Sequence, residues 1–311
     1  MSARFDLVAL GEPLVEFNQT RDAGGAYVQG FGGDTSNCAI AAARLGARAA
    51  YVTRIGNDAF GRQFLDLWRR ESVDVAGVAV DADAPTGIYF VGHGASGHEF
   101  SYLRAGSAAS RMRPGELPLE SIRAAKVLHL SGISQAISAS ACDACFAAMD
   151  AARGAGVKIS YDTNLRLKLW PLARARAIIR ASIAFADWVL PSLDDASQLF
   201  DRDEPDAILD ACHRDGARLV TLRCGAEGCI VSDGARRECI AGHRVKAIDA
   251  TGAGDCFDGA FAARLTAGDD PFAAARYANA AAALATTGYG AVSPLPRHRD
   301  VMALLGEAIP S

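Results

Sequence analysis

Short apolar runs separated by amphipathic stretches organise most of the chain. The uninterrupted runs predict buried strands at Phe5–Leu10, Ala49–Ile55, Val127–Ser131, Lys158–Tyr161, Trp188–Leu190, Leu219–Arg223 and Cys229–Ser232. Helical periodicity predicts helices over Thr35–Leu45, Gly61–Glu71, Ser138–Arg153, Leu172–Phe185, Pro205–Asp215, Gly254–Ala267 and Pro271–Thr286. This alternation builds βαβ units, so the expected class is α/β: a mainly parallel sheet with helices on both faces. Ligands on such sheets bind beyond the carboxyl ends of the strands.

Two Gly-rich stretches, residues 12–32 and 86–104, break the alternation. Their β-type patterns, such as Gly87-Ile-Tyr-Phe-Val91 and His98-Glu-Phe-Ser-Tyr-Leu-Arg104, predict a small accessory sheet inserted in the chain as a lid over the ligand cleft. No linker or repeat stands out, so residues 1–311 read as a single domain. Exposed apolar faces on lid strands also favour pairing between copies, hence an expected homo-oligomer.

Composition narrows the picture. Half of the 311 residues are hydrophobic, enough for a substantial core, and the net charge of −4 argues against nucleic-acid or membrane-surface binding. The first apolar run is broken by Gly11 and Glu12, which suits a buried strand better than a signal peptide; the expected location is the cytoplasm. Of eight cysteines, Cys142 and Cys145 form a C-x-x-C within a helical stretch, with no second pair at zinc spacing. Buried free thiols are the expectation.

The chemistry concentrates in Asp249-Ala-Thr-Gly-Ala-Gly-Asp255, which opens a predicted helix. Small residues at Gly252, Ala253 and Gly254 leave backbone N–H groups open, and a helix N-terminus of this kind favours an anion. Asp255 at its rim suits a base that takes a proton from a hydroxyl attacking a phosphoryl group. The helix terminus would lower the pKa of Asp255. A plain glycine turn capped by Asp is the alternative. The chain contains neither G-x-x-x-x-G-K-[ST] nor a dinucleotide G-x-G-x-x-G after the first strand.

Gly33-Asp34, opening the predicted helix Thr35–Leu45, would offer ligand hydroxyls both backbone donors and a carboxylate. Arg104 and Arg166 would suit a ligand carboxylate. Each is alternatively a surface ion-pair member, and Arg166 could serve phosphates instead.

The pair of motifs Gly32-Gly-Asp-Thr-Ser-Asn37-Cys-Ala39 and Asp249–Asp255 resembles the ribokinase-like (PfkB) sugar kinase family over almost the whole chain, with Ala250 as a departure. The resemblance implies a three-layer ribokinase-like sandwich with a β-sheet lid, ATP and Mg²⁺ as cofactors, Asp255 as base and the Gly252–Asp255 turn as anion hole. Thr221-Leu-Arg223-Cys-Gly225-Ala-Glu-Gly228 resembles the family's Lys-x-Gly-x-x-Gly nucleotide loop, with Arg223 at the Lys position; a plain hairpin is the alternative. Ser192 and Asp195 stand where many members carry an Asn-x-x-Glu linked to magnesium and phosphate, though a solvated acid at a helix start would look the same. Asn164 would join the ATP site. Asn279 would border the adenine pocket or lie on the surface. Asp249, Thr251 and the loop Gly288–Ser293 would hold a monovalent cation such as K⁺.

Within the family the chain is most similar to members that phosphorylate 2-keto-3-deoxygluconate. The similar stretches include Gly11-Glu-Pro-Leu-Val-Glu16, Ser101-Tyr-Leu-Arg-Ala-Gly-Ser-Ala108 and Asp162-Thr-Asn-Leu-Arg-Leu-Lys-Leu-Trp170. The resemblance implies that Gly33, Asn37, Tyr89, Tyr102, Arg104 and Arg166 line the sugar-acid site, although both tyrosines could be lid core. The rivals are a fructokinase or ribokinase acting on a neutral sugar and, more remotely, a non-catalytic sensor on the same fold.

Overall fold

The computed structural model describes residues 3–20, 25–94 and 97–306. In chain order its strands are β1 (Phe5–Leu10), β2 (Leu14–Gln19), β3 (Tyr27–Gly32), β4 (Ala49–Gly56), β5 (Val78–Asp81), β6 (Gly87–Gly94), β7 (Gly97–Leu103), β8 (Ala125–Ser131), β9 (Lys158–Asp162), β10 (Trp188–Val189), β11 (Leu219–Arg223), β12 (Gly228–Ser232) and β13 (Arg237–Ala241). The helices are α1 (Asp34–Arg44), α2 (Ala59–Arg70), α3 (Leu119–Arg123), α4 (Gly132–Ala136), α5 (Ala139–Gly154), α6 (Leu172–Ile183), α7 (Leu193–Phe200), α8 (Pro205–Arg214), α9 (Ala253–Ala267), α10 (Pro271–Ala285) and α11 (His298–Leu305).

Among the described residues, nine strands form one sheet in the order β13-β12-β11-β10-β9-β8-β1-β4-β5. Neighbours from β5 to β11 are parallel, and β12 and β13 extend one edge antiparallel. Strand β1 lies between β4 and β8, with Leu7 opposite both Ala49 and Val127. Its residues alternate between two cores: Leu7 and Ala9 face the layer of α1, α9 and α10, while Val8 and Leu10 face the layer of α5, α6 and α8. A strand covered on both faces reads as a continuous apolar run, which is why its position was plain from the sequence. The two short edge strands β5 and β13 escaped the pattern because each has a single neighbour and carries polar or partly exposed residues.

The second sheet runs β3-β2-β6-β7 and is mixed, since β2 and β6 are parallel while the outer pairs are antiparallel. It is supplied by the Gly-rich stretches, of which residues 21–24 and 95–96 lie outside the described ones. Tyr27, Val28 and Leu103 on this sheet remain exposed. All eight cysteines are free; six are buried, but Cys239 is exposed because it lies on the edge strand β13, a correction to the expectation of uniform burial.

Two helices carry the motif residues, and their separation is set by a glycine. Gly259 of α9 packs on α1 so closely that a Cβ there would lie 2.4 Å from the Cys38 carbonyl oxygen and 2.9 Å from the Ala41 Cβ. Neighbouring Ala41 and Ala42 keep the α1 face flat. Gly259→Ala is expected to force the helices apart at a cost of about 1–3 kcal/mol. Equilibrium denaturation reads this as a lower midpoint with an unchanged slope; an unshifted midpoint would show that the contact does not set the spacing.

Candidate active site

Helix α9 begins at Gly252, whose φ of 77° is left-handed and suits glycine. A Cβ on Gly252 would also meet Ala291 at 3.0 Å, so the turn is pressed against the loop 288–293. The Ala253 N–H is taken by the Ala250 carbonyl at 3.2 Å. The N–H groups of Gly254 and Asp255 find no acceptor among the described residues. Within the Gly252–Asp255 turn, the Ala253 N–H is thus committed to the backbone, which leaves those of Gly254 and Asp255 as candidate anion donors.

Asp255 lies in the first turn of α9, and Asn37 of α1 donates its amide to Oδ2 at 2.8 Å. Asp34 starts α1 after Gly33, whose φ is 102° and whose Cβ would strike the Glu12 carbonyl oxygen at 2.4 Å. The Ser131 hydroxyl and the Asn164 amide, the latter at 3.0 Å, both donate to Asp34 Oδ2. Burial, reinforced by the nearby Asp34 charge, pushes the Asp255 carboxyl up to about 7; Asn37 and Arg223 oppose it without prevailing. This reverses the expectation that the helix terminus would lower it. Burial likewise raises Asp34.

The second sheet adds a basic group that is already paired. Arg104, just beyond β7, donates Nε to Glu12 Oε2 at 2.8 Å and Nη2 to the same oxygen, while Ser107 donates to Oε1 at 2.6 Å. Glu12 is fully buried, and Arg104 lies close enough to Asp34 to favour its charged form. The Tyr89 hydroxyl donates to buried Glu16. Tyr102 stacks on Tyr89 with ring centroids 5.9 Å apart and is itself partly exposed. Arg166 is half exposed, donates to the Leu165 carbonyl at 2.7 Å and stands 3.9 Å from Asp195.

On the opposite side, Ser192 caps α7 and accepts the Asp195 N–H at 3.2 Å. Asp195 Oδ2 accepts the Leu165 N–H at 3.0 Å. Asn164, expected at the ATP site, donates its amide to Asp34 at the start of α1. Arg223 was expected to touch nucleotide phosphate. Its side chain turns inward, and both terminal nitrogens are occupied: Nη1 by Gly254 O and Asp258, Nη2 by Asp162 and Leu190 O. Gly225 and Gly228, with φ of 58° and 103°, shape the turn between β11 and β12. Asn279 does not lie on the surface. It is buried and donates to the Ile240 and Ala241 carbonyls, pinning α10 to β13.

Asp249, Thr251 and the loop 288–293 are brought together. Asp249 Oδ1 accepts the Thr251 N–H at 2.9 Å and its hydroxyl at 2.7 Å, and Oδ2 accepts the Gly290 N–H at 2.9 Å. Among the described residues no group of three or more His, Cys, Asp or Glu is arranged to cage a metal ion. Magnesium carried on nucleotide phosphates needs only one or two protein carboxylates, and Asp195 fits that smaller demand. The sequence reasoning missed Glu12, Glu16, Asp162 and Asp258. An acid inside an otherwise apolar helix, as at Asp258, or directly after a buried strand, as at Glu12, is the signal that could have found two of them.

Residues 4–298 match the family model described as pfkB family carbohydrate kinase. The chain is 36% identical to a 2-dehydro-3-deoxygluconokinase of Thermoproteus tenax, over 97% of its own length and 95% of that protein. It is 35% identical to fructokinase-1 of Oryza sativa subsp. japonica, over 99% and 100%. The crystal structure of Vibrio cholerae O395 fructokinase with fructose, ADP and calcium superposes with a TM-score of 0.87 at 29% identity, covering 96% of this chain and 98% of that one.

The raised pKa of Asp255 has a consequence for stability. Between about 4, where an unfolded aspartate titrates, and about 7, the native carboxyl keeps a proton that the unfolded chain has lost. The contribution of Asp255 is therefore full below about pH 4 and is lost between about 4 and 7. Asp255→Asn is expected to melt higher than the wild type by several °C at pH 8 and by about half as much at pH 5.5. Equal offsets at both pH values in differential scanning calorimetry would contradict the assignment of a protonated Asp255.

Proposed function

The chain belongs to the pfkB family of carbohydrate kinases, and on that premise we propose that it phosphorylates 2-dehydro-3-deoxy-D-gluconate at the 6-hydroxyl with ATP. The observation that carries the reading is the meeting, at one cleft, of Asp255, the open N–H groups of Gly254 and Asp255, and an arginine held beside Asp34. Asp255 would take the proton of the 6-hydroxyl, and a carboxyl that titrates near 7 is well matched to that task at neutral pH. The two N–H groups would stabilise the charge on the transferring phosphoryl group, where positioning matters more than base strength. Mg²⁺, when bound, neutralises charge on the ATP phosphates, and Asp195 would hold it through water. Asp249 and Thr251 would flank a potassium ion.

Asp34, Asn164 and the backbone after Gly33 would hold sugar hydroxyls. Arg104, with Arg166 at the rim, would take the carboxylate of the sugar acid. The second sheet would act as the lid that excludes water, with Tyr89 and Tyr102 on its inner side. The neutral-sugar reading has its own support: Glu12 already balances much of the Arg104 charge, and the similarity to rice fructokinase-1 is nearly equal.

A substrate panel with coupled ADP detection tests the choice. The sugar acid is expected to exceed fructose and ribose in kcat/KM by at least about 10²-fold, the discrimination that loss of a buried charged partner produces. Fructose or ribose ranking first would replace the sugar acid by the neutral sugar. Asp255→Asn should lower kcat by about 10²–10⁴-fold with the fold intact; wild-type turnover in that variant would remove Asp255 as base and reopen the sensor reading.

A further inference from the structure

Arg223 is placed where one side chain meets four elements. It ends β11, and its guanidinium reaches the ends of the next two parallel strands and the first turn of α9. Nη2 donates to Asp162 Oδ1 at 2.6 Å, at the end of β9, and to Leu190 O at 2.7 Å, just past β10. Nη1 donates to Asp258 Oδ1 at 2.9 Å and to Gly254 O at 3.1 Å, both on α9. The side chain is only 12% exposed, and Asp162 and Asp258 are buried.

The bond to Gly254 O bears on the reacting end of the helix. The peptide linking Gly254 to Asp255 is planar and trans, so its C=O and N–H point in opposite directions. A guanidinium that fixes the carbonyl thereby aims the Asp255 N–H away from itself. Gly254 supplies an independent sign of the same fit: a Cβ there would lie 3.0 Å from Arg223 Nη1. The glycine thus makes room for the arginine as well as leaving the backbone open.

We infer that Arg223 is a positioning residue for phosphoryl transfer, holding the Asp255 carboxylate and the open N–H groups of Gly254 and Asp255 in register with the ends of β9, β10 and β11. This rests on the reading of Asp255 as the base. It also explains why the position carries Arg. Four acceptors, one on β9, one just past β10 and two on α9, match a planar fork, whereas a lysine ammonium is a single point that cannot reach them together. Six groups on the surrounding elements face Asp255: Asp34, Asn37 and Cys38 from α1, Tyr89 from β6, Asp162 from β9 and Arg223 from β11, with Cys256 and Asp258 on its own helix. Arg223 is the cation among them, so its loss leaves Asp162 and Asp258 without the guanidinium that pairs them.

Steady-state kinetics of Arg223→Lys and Arg223→Gln against pH, on the intact chain with its best sugar substrate, test this. Arg223→Lys is expected to lose about 10- to 10²-fold in kcat, the scale of a misplacement of about 1 Å, with KM for sugar and ATP changed by no more than about threefold. Its acidic limb should stay at the wild-type pH, because the charge is retained. Arg223→Gln should lose more and move that limb to higher pH. A loss confined to the KM for ATP would restore the nucleotide contact and overturn the inference, as would wild-type kcat in Arg223→Lys. An acidic limb that stays put in a folded Arg223→Gln also counts against it; if that variant does not fold, Arg223→Lys decides alone. Asp255→Asn separates the two readings: retained turnover there removes the base, whereas the kcat loss in Arg223→Lys speaks for the strut.

Discussion

Four aspartates, Asp34, Asp162, Asp255 and Asp258, gather near the carboxyl ends of a parallel sheet, Asp162 and Asp258 buried and Asp34 and Asp255 partly so, and holding that much negative charge away from water constrains everything around them. Burial disfavours the charged forms of Asp34, Asp255 and Asp258, and neighbouring carboxylates add to the cost. The structure offsets this with one buried guanidinium from β11 and a few short donors: Ser131, Asn164 and Asn37. The balance is incomplete at Asp255, and that incompleteness keeps its carboxyl near neutral titration. A fully paired aspartate would ionise readily and attract a proton weakly.

The same constraint explains the packing beneath. A carboxylate on α9 can be reached by an amide on α1 only if the two helices nearly touch, which is the geometry that Gly259, Ala41 and Ala42 permit. Alanine-rich α9 and α10 trade side-chain volume for proximity, placing the charged cluster on a layer with little room to relax. On the other side of the cleft the second sheet carries its own buried acids, Glu12 and Glu16, each answered from a neighbouring strand or loop by Arg104 or Tyr89. Arg104 beside this sheet therefore arrives already neutralised in part.

Much of the architecture was legible because it is local. Strands buried on both faces appear as unbroken apolar runs, as in β1, and the turn before α9 is a contiguous motif whose glycines and acid announce an anion site. The edge strands β5 and β13 were less visible, since a single neighbour imposes little pattern on them. The resemblance linked the Arg223 side chain to the nucleotide and Asn279 to the adenine pocket or the surface; in the fold Arg223 bonds to acids and backbone and Asn279 to the backbone of β13.

By itself the sequence determined the α/β class, the position of the glycine turn that opens α9 and the presence of Asp255 in its first turn. Only the tertiary structure decided what each charged group faces. Asn37 meets Asp255 across 218 residues and Arg104 meets Glu12 across 92, and no local pattern encodes such meetings. The physical reason is that secondary structure follows from periodicity within a few residues, whereas ionisation and hydrogen bonding depend on which distant groups share a buried space.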